Sequence, residues 1–272
     1  MARDVIPALE EARSMIFNPL IVVASELGLR LNGKKPRQES GEPPVVRAFR
    51  RVTASGIGSV IVDSTSQGDV EAAAAAGAHT VSTDLSEFDR THNYRSQSGA
   101  ERIAATVNRF DRFYTHDIVV AVPDDMPDLK PFYLQALMYA LASTEVGIAT
   151  LVSPLKEGEL EDPEIAKAAV DWNNGRVVYP LEGCRVGTLI DIRRDARKLP
   201  AGDVYRFVPI HAWRRGALDR LVNSPPSDRE FDEGTDLVRA LDANVRIDVA
   251  LVYEDMKVLI TPEELVGGEL EG

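Results

Sequence analysis

The chain holds a single cysteine, Cys184, and four histidines without ligand spacing. One thiol cannot form an intrachain disulfide, and neither residue type clusters as structural zinc or an iron–sulfur centre requires. Cationic charge is also short, with 31 Lys and Arg against 43 Asp and Glu and a formal net charge of −12. A nonspecific nucleic-acid binder needs a net cationic face to displace counterions, so that class is excluded. No run of eighteen apolar residues occurs, and Glu10 and Glu11 interrupt the stretch where a signal peptide would carry its apolar segment. The expectation is a soluble, cytoplasmic protein with no membrane insertion and no nucleic-acid partner.

What is present is globular composition: 272 residues, 44% hydrophobic and 27% charged, enough for one large domain or two small ones. Residues 2–18 read as an amphipathic helix with Val5, Leu9, Ala12 and Ile16 on one face. From Leu20 short apolar runs alternate with helical stretches. LIVVAS, SVIVD, HTVST, DIVVAV and GIATLVS read as five strands, separated by helices over VVRAFRRVTAS, around Val70 to Ala76, from Ser98 and from Pro131. Such alternation predicts a mostly parallel sheet with covering helices. In the second half, Asn173-Asn174-Gly175 between two apolar segments suggests a hairpin turn, although Ala and Lys in its first arm also favour helix. VYRFVPIHAW and VRIDVALV read as strands and GALDRLVNS as a helix. Ser227 with Glu230 three residues later makes a capping-box start to a helix running toward Ala243, and Pro262 to Leu265 reads as a helical start. No repeat or low-complexity linker marks a boundary, so one domain is expected.

In an open α/β sheet the ligand crevice lies beyond the carboxyl ends of the strands. Arg30, Gly33, Lys34 and Lys35 follow the first strand, and that composition fits either a phosphate-binding loop or an ordinary solvated one. It is not a Walker A loop. Asp124 and Asp125 follow DIVVAV, where a carboxylate either holds magnesium against phosphates or caps the loop. Ser98-Gly99-Ala100-Glu101-Arg102 opens a helix whose free N–H groups receive a ligand or simply a cap.

These segments together resemble the cytidylyltransferases that make CMP-KDO, the activated 3-deoxy-manno-octulosonate of lipopolysaccharide synthesis. The resemblance covers residues 20–266. RLNGKKPRQESGEPPVV looks like the family's Arg-Leu-Pro-Gly-Lys-Pro loop and second Gly-Lys-Pro, with Glu42 in place of the second lysine. SGAERIAATV is similar to the Ser-Gly-Thr-Asp/Glu-Arg helix start, and DIVVAVPDDMP places Asp125 on the magnesium aspartate. VPIHAWRRGALDRLVNSPPSDREFDEGTDLVRALDAN tracks Gly-Ile-Tyr-Ala-Tyr-Arg, Pro-Pro-Ser and an acidic helix in which Glu230, Glu233, Arg239 and Leu241 keep their types. ITPEEL resembles Asp-Thr-Pro-Glu-Asp-Leu. The departures are Ile260 at the second metal aspartate, Ser25 at the first-strand arginine, and Pro123, Phe207 and Leu237 at polar positions of the sugar side. Asp124 and Asp255 are the acids available as substitutes, neither at the family's position.

The resemblance implies a three-layer α/β/α fold with a mixed, mostly parallel sheet, of the GT-A-like nucleotide-diphospho-sugar transferase kind. Residues 1–19 would form a helical extension and 20–272 one nucleotidyltransferase-like domain. It also implies transfer of CMP from CTP to KDO or a related sugar acid, with Mg²⁺ and, by analogy, a homodimer. Arg30, Lys34 and Asp125 would be catalytic, Asp125 also holding the metal; Ser25, Gly33, Ser98 and Gly99 would lie on the nucleotide side, and Glu230 and Glu233 on the sugar side. The departures motivate an alternative, a degenerate homologue that binds a nucleotide or a partner without turnover. A glycosyltransferase would carry Asp-x-Asp at a central strand end, and here Asp124 and Asp125 are adjacent.

Overall fold

The structure is a computed structural model describing residues 18–25, 41–83, 99–126, 129–177 and 184–253. The expected N-terminal helix, the cationic turn after the first strand and the Pro262 to Leu265 helical start lie outside these residues. Among the described residues one sheet runs through the molecule: β1 (Leu20–Ala24), β2 (Ser59–Ser64), β3 (His79–Ser82), β4 (Ile118–Pro123), β5 (Ile148–Ser153), β6 (Lys167–Val177), β7 (Arg185–Arg193), β8 (Asp203–Arg214) and β9 (Ile247–Leu251), in the order β3-β2-β1-β4-β8-β5-β9-β7-β6. The β3-β2-β1-β4 half is parallel, as expected. Beyond it β8 runs antiparallel between β4 and β5, and its first residues also pair with β6. Since β5, β9, β7 and β6 pair in turn, these strands close with β8 into a ring.

The unbroken apolar runs are explained by burial on both faces. Every residue of β1 is fully buried; Ile21 and Val23 meet one layer, and Leu20, Val22 and Ala24 the other. The first layer contains α1 (Pro44–Thr53), α2 (Gln67–Ala75) and α4 (Pro131–Ala140); the second contains α3 (Gly99–Phe110), α5 (Arg215–Val222) and α7 (Leu237–Asp242). This is the three-layer α/β/α fold. Helices α1 and α4 each carry proline in the first turn, where its fixed φ suits the helix and its missing N–H is not needed.

Two expectations need correction. Asn173-Asn174-Gly175 does not reverse the chain but lies inside β6, in a bulge where the pairing jumps from Asp171↔Thr188 to Arg176↔Val186. The Asp171 carboxylate accepts the N–H of Asn173 at 2.9 Å, so the Asx geometry that makes such residues turn-formers is absorbed locally. The helical option for the first arm also fails, because Ala168, Ala169 and Val170 gain more by burial in the sheet than propensity offers. The helix expected from Ser227 toward Ala243 starts as read, the Ser227 hydroxyl accepting the N–H of Glu230 at 3.1 Å. It then breaks at Gly234, whose φ of +73° suits glycine, into α6 (Asp228–Glu233) and α7.

A buried ion pair fastens the parallel half to α3. Asp63, at the end of β2 and fully buried, accepts Arg102 Nε at 2.7 Å, the Thr83 hydroxyl at 2.6 Å and the Thr106 hydroxyl at 3.1 Å. Arg102 Nη1 donates to the carbonyl of Ser25, just past β1, at 2.6 Å. Removing one partner of such a pair strands a buried charge, which costs roughly 3–5 kcal/mol. Urea unfolding should therefore show Asp63→Ala destabilised by about that much, whereas Thr83→Val, which removes one hydrogen bond, should cost about 1 kcal/mol. Equal effects for the two would refute this ranking.

Candidate functional site

Strands β1 and β4 are parallel neighbours with Ala24 opposite Pro123, and the N–H of Asp124 donates to the carbonyl of Ala24 at 3.2 Å. The chain beyond β1 and the Asp124–Asp125 loop thus leave the sheet side by side, at the carboxyl edge where ligands bind in such folds. Asp125 is exposed there. Arg30, Gly33, Lys34 and Ser98 lie outside the described residues. Ser25 is buried; its hydroxyl donates to that of Ser64 at 2.7 Å, and it belongs to the frame of the edge. Gly99 begins α3. The next N–H, of Ala100, donates to the Asp236 carboxylate at 2.8 Å, so for this group the capping reading holds.

Beside this edge is a cavity of about 170 Å³, bordered by Pro123, Gly99 and the α6–α7 corner from Glu233 to Asp236. Its β8 wall is Phe207, Pro209, His211 and Trp213. These alternate residues share a face by the two-residue period of the strand, which survives where β8 bulges against β5, because the pairing passes from Thr150↔His211 to Leu151↔Val208 with two residues extra on β8. A proline inside a strand is tolerated at such a bulge, where no ladder N–H is required. The Thr150 hydroxyl lies 3.0 Å from the Ile210 carbonyl and 3.3 Å from that of Val208, serving the groups the bulge leaves behind. Phe207 and His211 stack at 5.6 Å, and Trp213 meets His211 edge-on at 5.5 Å. Burial lowers the His211 pKa to about 4, so its ring is neutral at pH 7.

Both acids expected on the sugar side lie at this end and hold arginines. Glu233 borders the cavity; its carboxylate accepts Arg193 at 3.2 Å and the N–H of Arg194 at 2.7 Å. Glu230 is buried and sits 3.0 Å from Arg239, which also donates to Glu101 at 2.8 Å. Three carboxylates, of Glu101, Glu230 and Asp236, thus act on one guanidinium. Desolvation, opposed by Arg239 and aided by the neighbouring acids, raises the Glu230 pKa to about 7, and burial raises those of Glu101 and Asp236. Sequence reasoning passed over Asp236, although it continues the three-residue spacing of Glu230 and Glu233. It also passed over Asp63, whose partner is 39 residues away.

For a metal, the hard oxygen donors at the strand edge are Asp124 and Asp125. Among the described residues no group of three or more His, Cys, Asp or Glu could hold an ion. That donor set fits Mg²⁺, which commonly takes one or two carboxylates together with waters and substrate phosphates. Ile260 and Asp255 lie outside the described residues. Burial pushes the Cys184 thiol up to about 12, removing it as a nucleophile. No helix among the described residues is long and apolar enough to cross a membrane.

The raised Glu230 pKa has a definite sign in stability. The folded state binds this proton more tightly than the unfolded chain, so the contribution is present below the unfolded pKa of about 4.5 and is lost as pH rises through about 7. Between pH 6 and 8 wild type should lose about 1 kcal/mol relative to Glu230→Gln in paired urea titrations. A difference between the two proteins that stays constant across this range would contradict the assignment.

No protein-family model matches the chain. The 3-deoxy-manno-octulosonate cytidylyltransferase of Paramagnetospirillum magneticum is 31% identical over 251 residues, 92% of this chain and 95% of that protein. Its counterpart in Xanthobacter autotrophicus is 34% identical over 247 residues, 90% and 88% of the respective chains. Among solved structures, CMP:2-keto-3-deoxy-manno-octonic acid synthetase complexed with CTP is similar with a TM-score of 0.67 at 20% identity, covering 86% of this chain and 90% of that one. UDP-glucose pyrophosphorylase complexed with UDP-glucose is similar at 0.54 and 11% identity, covering 92% and 96%. The two structures share the fold of this sheet, while identity above 30% along nine-tenths of both sequences reaches further: the chain belongs to the 3-deoxy-manno-octulosonate cytidylyltransferase family.

Proposed function

We propose that this chain transfers CMP from CTP to a 3-deoxy-2-ulosonic sugar acid, KDO or a relative of it, with release of pyrophosphate. The observation that carries this reading is the pairing of Ala24 with Pro123, from which the segment bearing Arg30, Gly33 and Lys34 and the loop bearing Asp124 and Asp125 depart together. Cations for a triphosphate and a carboxylate for its metal are thereby rooted on adjacent strands. Arg30 and Lys34 would bind the leaving phosphates, Gly33 would let the backbone approach them, and Ser98 and Gly99 would border the nucleoside. Asp125, with Asp124 beside it, would hold Mg²⁺, which when bound supplies neutralisation of phosphate charge. An acceptor hydroxyl attacks the α-phosphorus, the bond to the bridging oxygen of pyrophosphate breaks, and the protein contributes by positioning and charge. Glu233 borders the acceptor cavity, and Glu230 supports that wall through Arg239.

A second reading, a homologue that binds CTP without turnover, is favoured by Ile260 at the family's second metal position. Pyrophosphate release from CTP and Mg²⁺ with a panel of sugar acids separates the two. Release with at least one acid is expected, abolished by EDTA, and Asp125→Asn should lower kcat by about 10²- to 10³-fold. Calorimetric binding of CTP with silence across the panel supports the second reading; no CTP binding removes both. The homodimer expected by analogy should scatter light at twice 29.8 kDa.

A further inference from the structure

Along its β8 wall the cavity beside the Asp125 loop is poor in groups able to pair with hydroxyls. Phe207, Pro209 and the neighbouring Pro123 present carbon, Thr235 across the cavity accepts the N–H of Leu237 at 3.4 Å, and the charged neighbours have partners. Glu233 holds Arg193 and Arg194, Arg206 pairs with Glu159 at 2.6 Å, and Asp236 caps α3. Two polar groups on the β8 wall are left. Trp213 is 1% exposed, and its indole N–H has no hydrogen-bond partner among the described residues. A buried donor without a partner is unfavourable in the free protein, and a ligand oxygen would satisfy it. The second is His211. Its Nδ1 lies 3.1 Å from the Thr150 hydroxyl, whose single proton serves the carbonyls of Ile210 and Val208. In the neutral ring one nitrogen donates and the other accepts, so Nε2 takes the role complementary to the one Nδ1 plays toward Thr150.

The β8 wall thus offers the Trp213 N–H and one ring nitrogen of His211 in a carbon surface. A sugar face bearing several hydroxyls would lose water there without replacement, about ten- to a hundredfold in affinity for each unpaired group. We propose that the acceptor is a 2-keto-3-deoxy sugar acid lacking at least one further hydroxyl, which lays its deoxygenated face on Phe207 and Pro209 and keeps one hydroxyl for the Trp213 N–H and His211 Nε2. This rests on the cytidylyl-transfer reading and names the acceptor's class.

The test is kcat/KM, from pyrophosphate release with CTP and Mg²⁺, for KDO and its 5-, 7- and 8-deoxy derivatives. At least one deoxy acid should exceed KDO by tenfold or more. Phe207→His, which puts a hydrogen-bonding ring in the wall, should reduce that preference at least tenfold. Trp213→Phe keeps the ring and removes the N–H; it should raise KM for the favoured acid by about tenfold while KM for CTP stays unchanged. Circular dichroism melting of each variant identifies one that fails to fold, and the wild-type preference decides the matter without them. KDO turned over faster than every deoxy derivative overturns this inference and leaves cytidylyl transfer standing. Pyrophosphate release with none of the acids, despite CTP binding, overturns both.

Discussion

The pairing of Asp63 with Arg102 is the constraint on which the ligand edge depends. An ion pair buried to this degree is favourable only when its remaining hydrogen-bonding capacity is used. Here it is used by parts of the chain that must meet: Thr83 from beyond β3, Thr106 from α3, and the Ser25 carbonyl from the end of β1. Four elements are thereby fixed at one point behind the crevice, and the exit of the cationic segment is set relative to the start of α3. The same helix is held again at its first turn, where Ala100 donates to Asp236 and Glu101 accepts from Arg239. The β1–β4 edge and the α6–α7 corner of the cavity are thus joined by one polar framework centred on the first turn of α3.

Strand β8 carries the opposite kind of constraint. Flanked by β4 and β5 and touching β6 with its first residues, it is the hinge between the parallel half and the closed, mostly antiparallel ring. A regular strand there could not hold Pro209 without losing a ladder bond; the bulge removes the requirement, and Thr150 serves the displaced carbonyls. The result is a wall of rings turned toward the α3 layer, next to the carboxylates of the β4 loop. A framework of ion pairs thus encloses a cavity floor of carbon.

The parallel half was legible in the sequence because burial on both faces writes itself as uninterrupted apolar runs, and LIVVAS and DIVVAV have no other economical explanation. The place of Asp125 just beyond β4 was legible for the same reason, since a strand end is where the run stops. The mixed ring was less so. Strand β7 mixes buried Val186, Leu189 and Ile192 with exposed Ile190, and β6 contains an Asn-Asn-Gly sequence that local chemistry reads as a turn. Only the partner strand decides otherwise, and partners are not local. The acids show this limit clearly: Glu230 and Glu233 were expected on the sugar side by resemblance, yet their arginines arrive from α7 and from β7 and the turn after it. Arg102 was read as part of a nucleotide motif, whereas its observed bonds are to Asp63 and Ser25.

For an acidic protein, the acidic sugar proposed as acceptor would meet a repulsion that the fold itself reduces. Glu101, Glu230 and Asp236 gather at one guanidinium close to the cavity, and fully ionised they would set a net negative charge beside an incoming carboxylate. Burial opposes that ionisation. With its pKa raised to about 7, Glu230 is protonated for much of its time at neutral pH, and the other two acids are shifted in the same direction. Arg239 then comes nearer to balancing what charge remains. The desolvation that makes the cluster expensive to fold also makes the acceptor wall less negative than its composition suggests, so composition alone overstates the barrier to an anionic substrate.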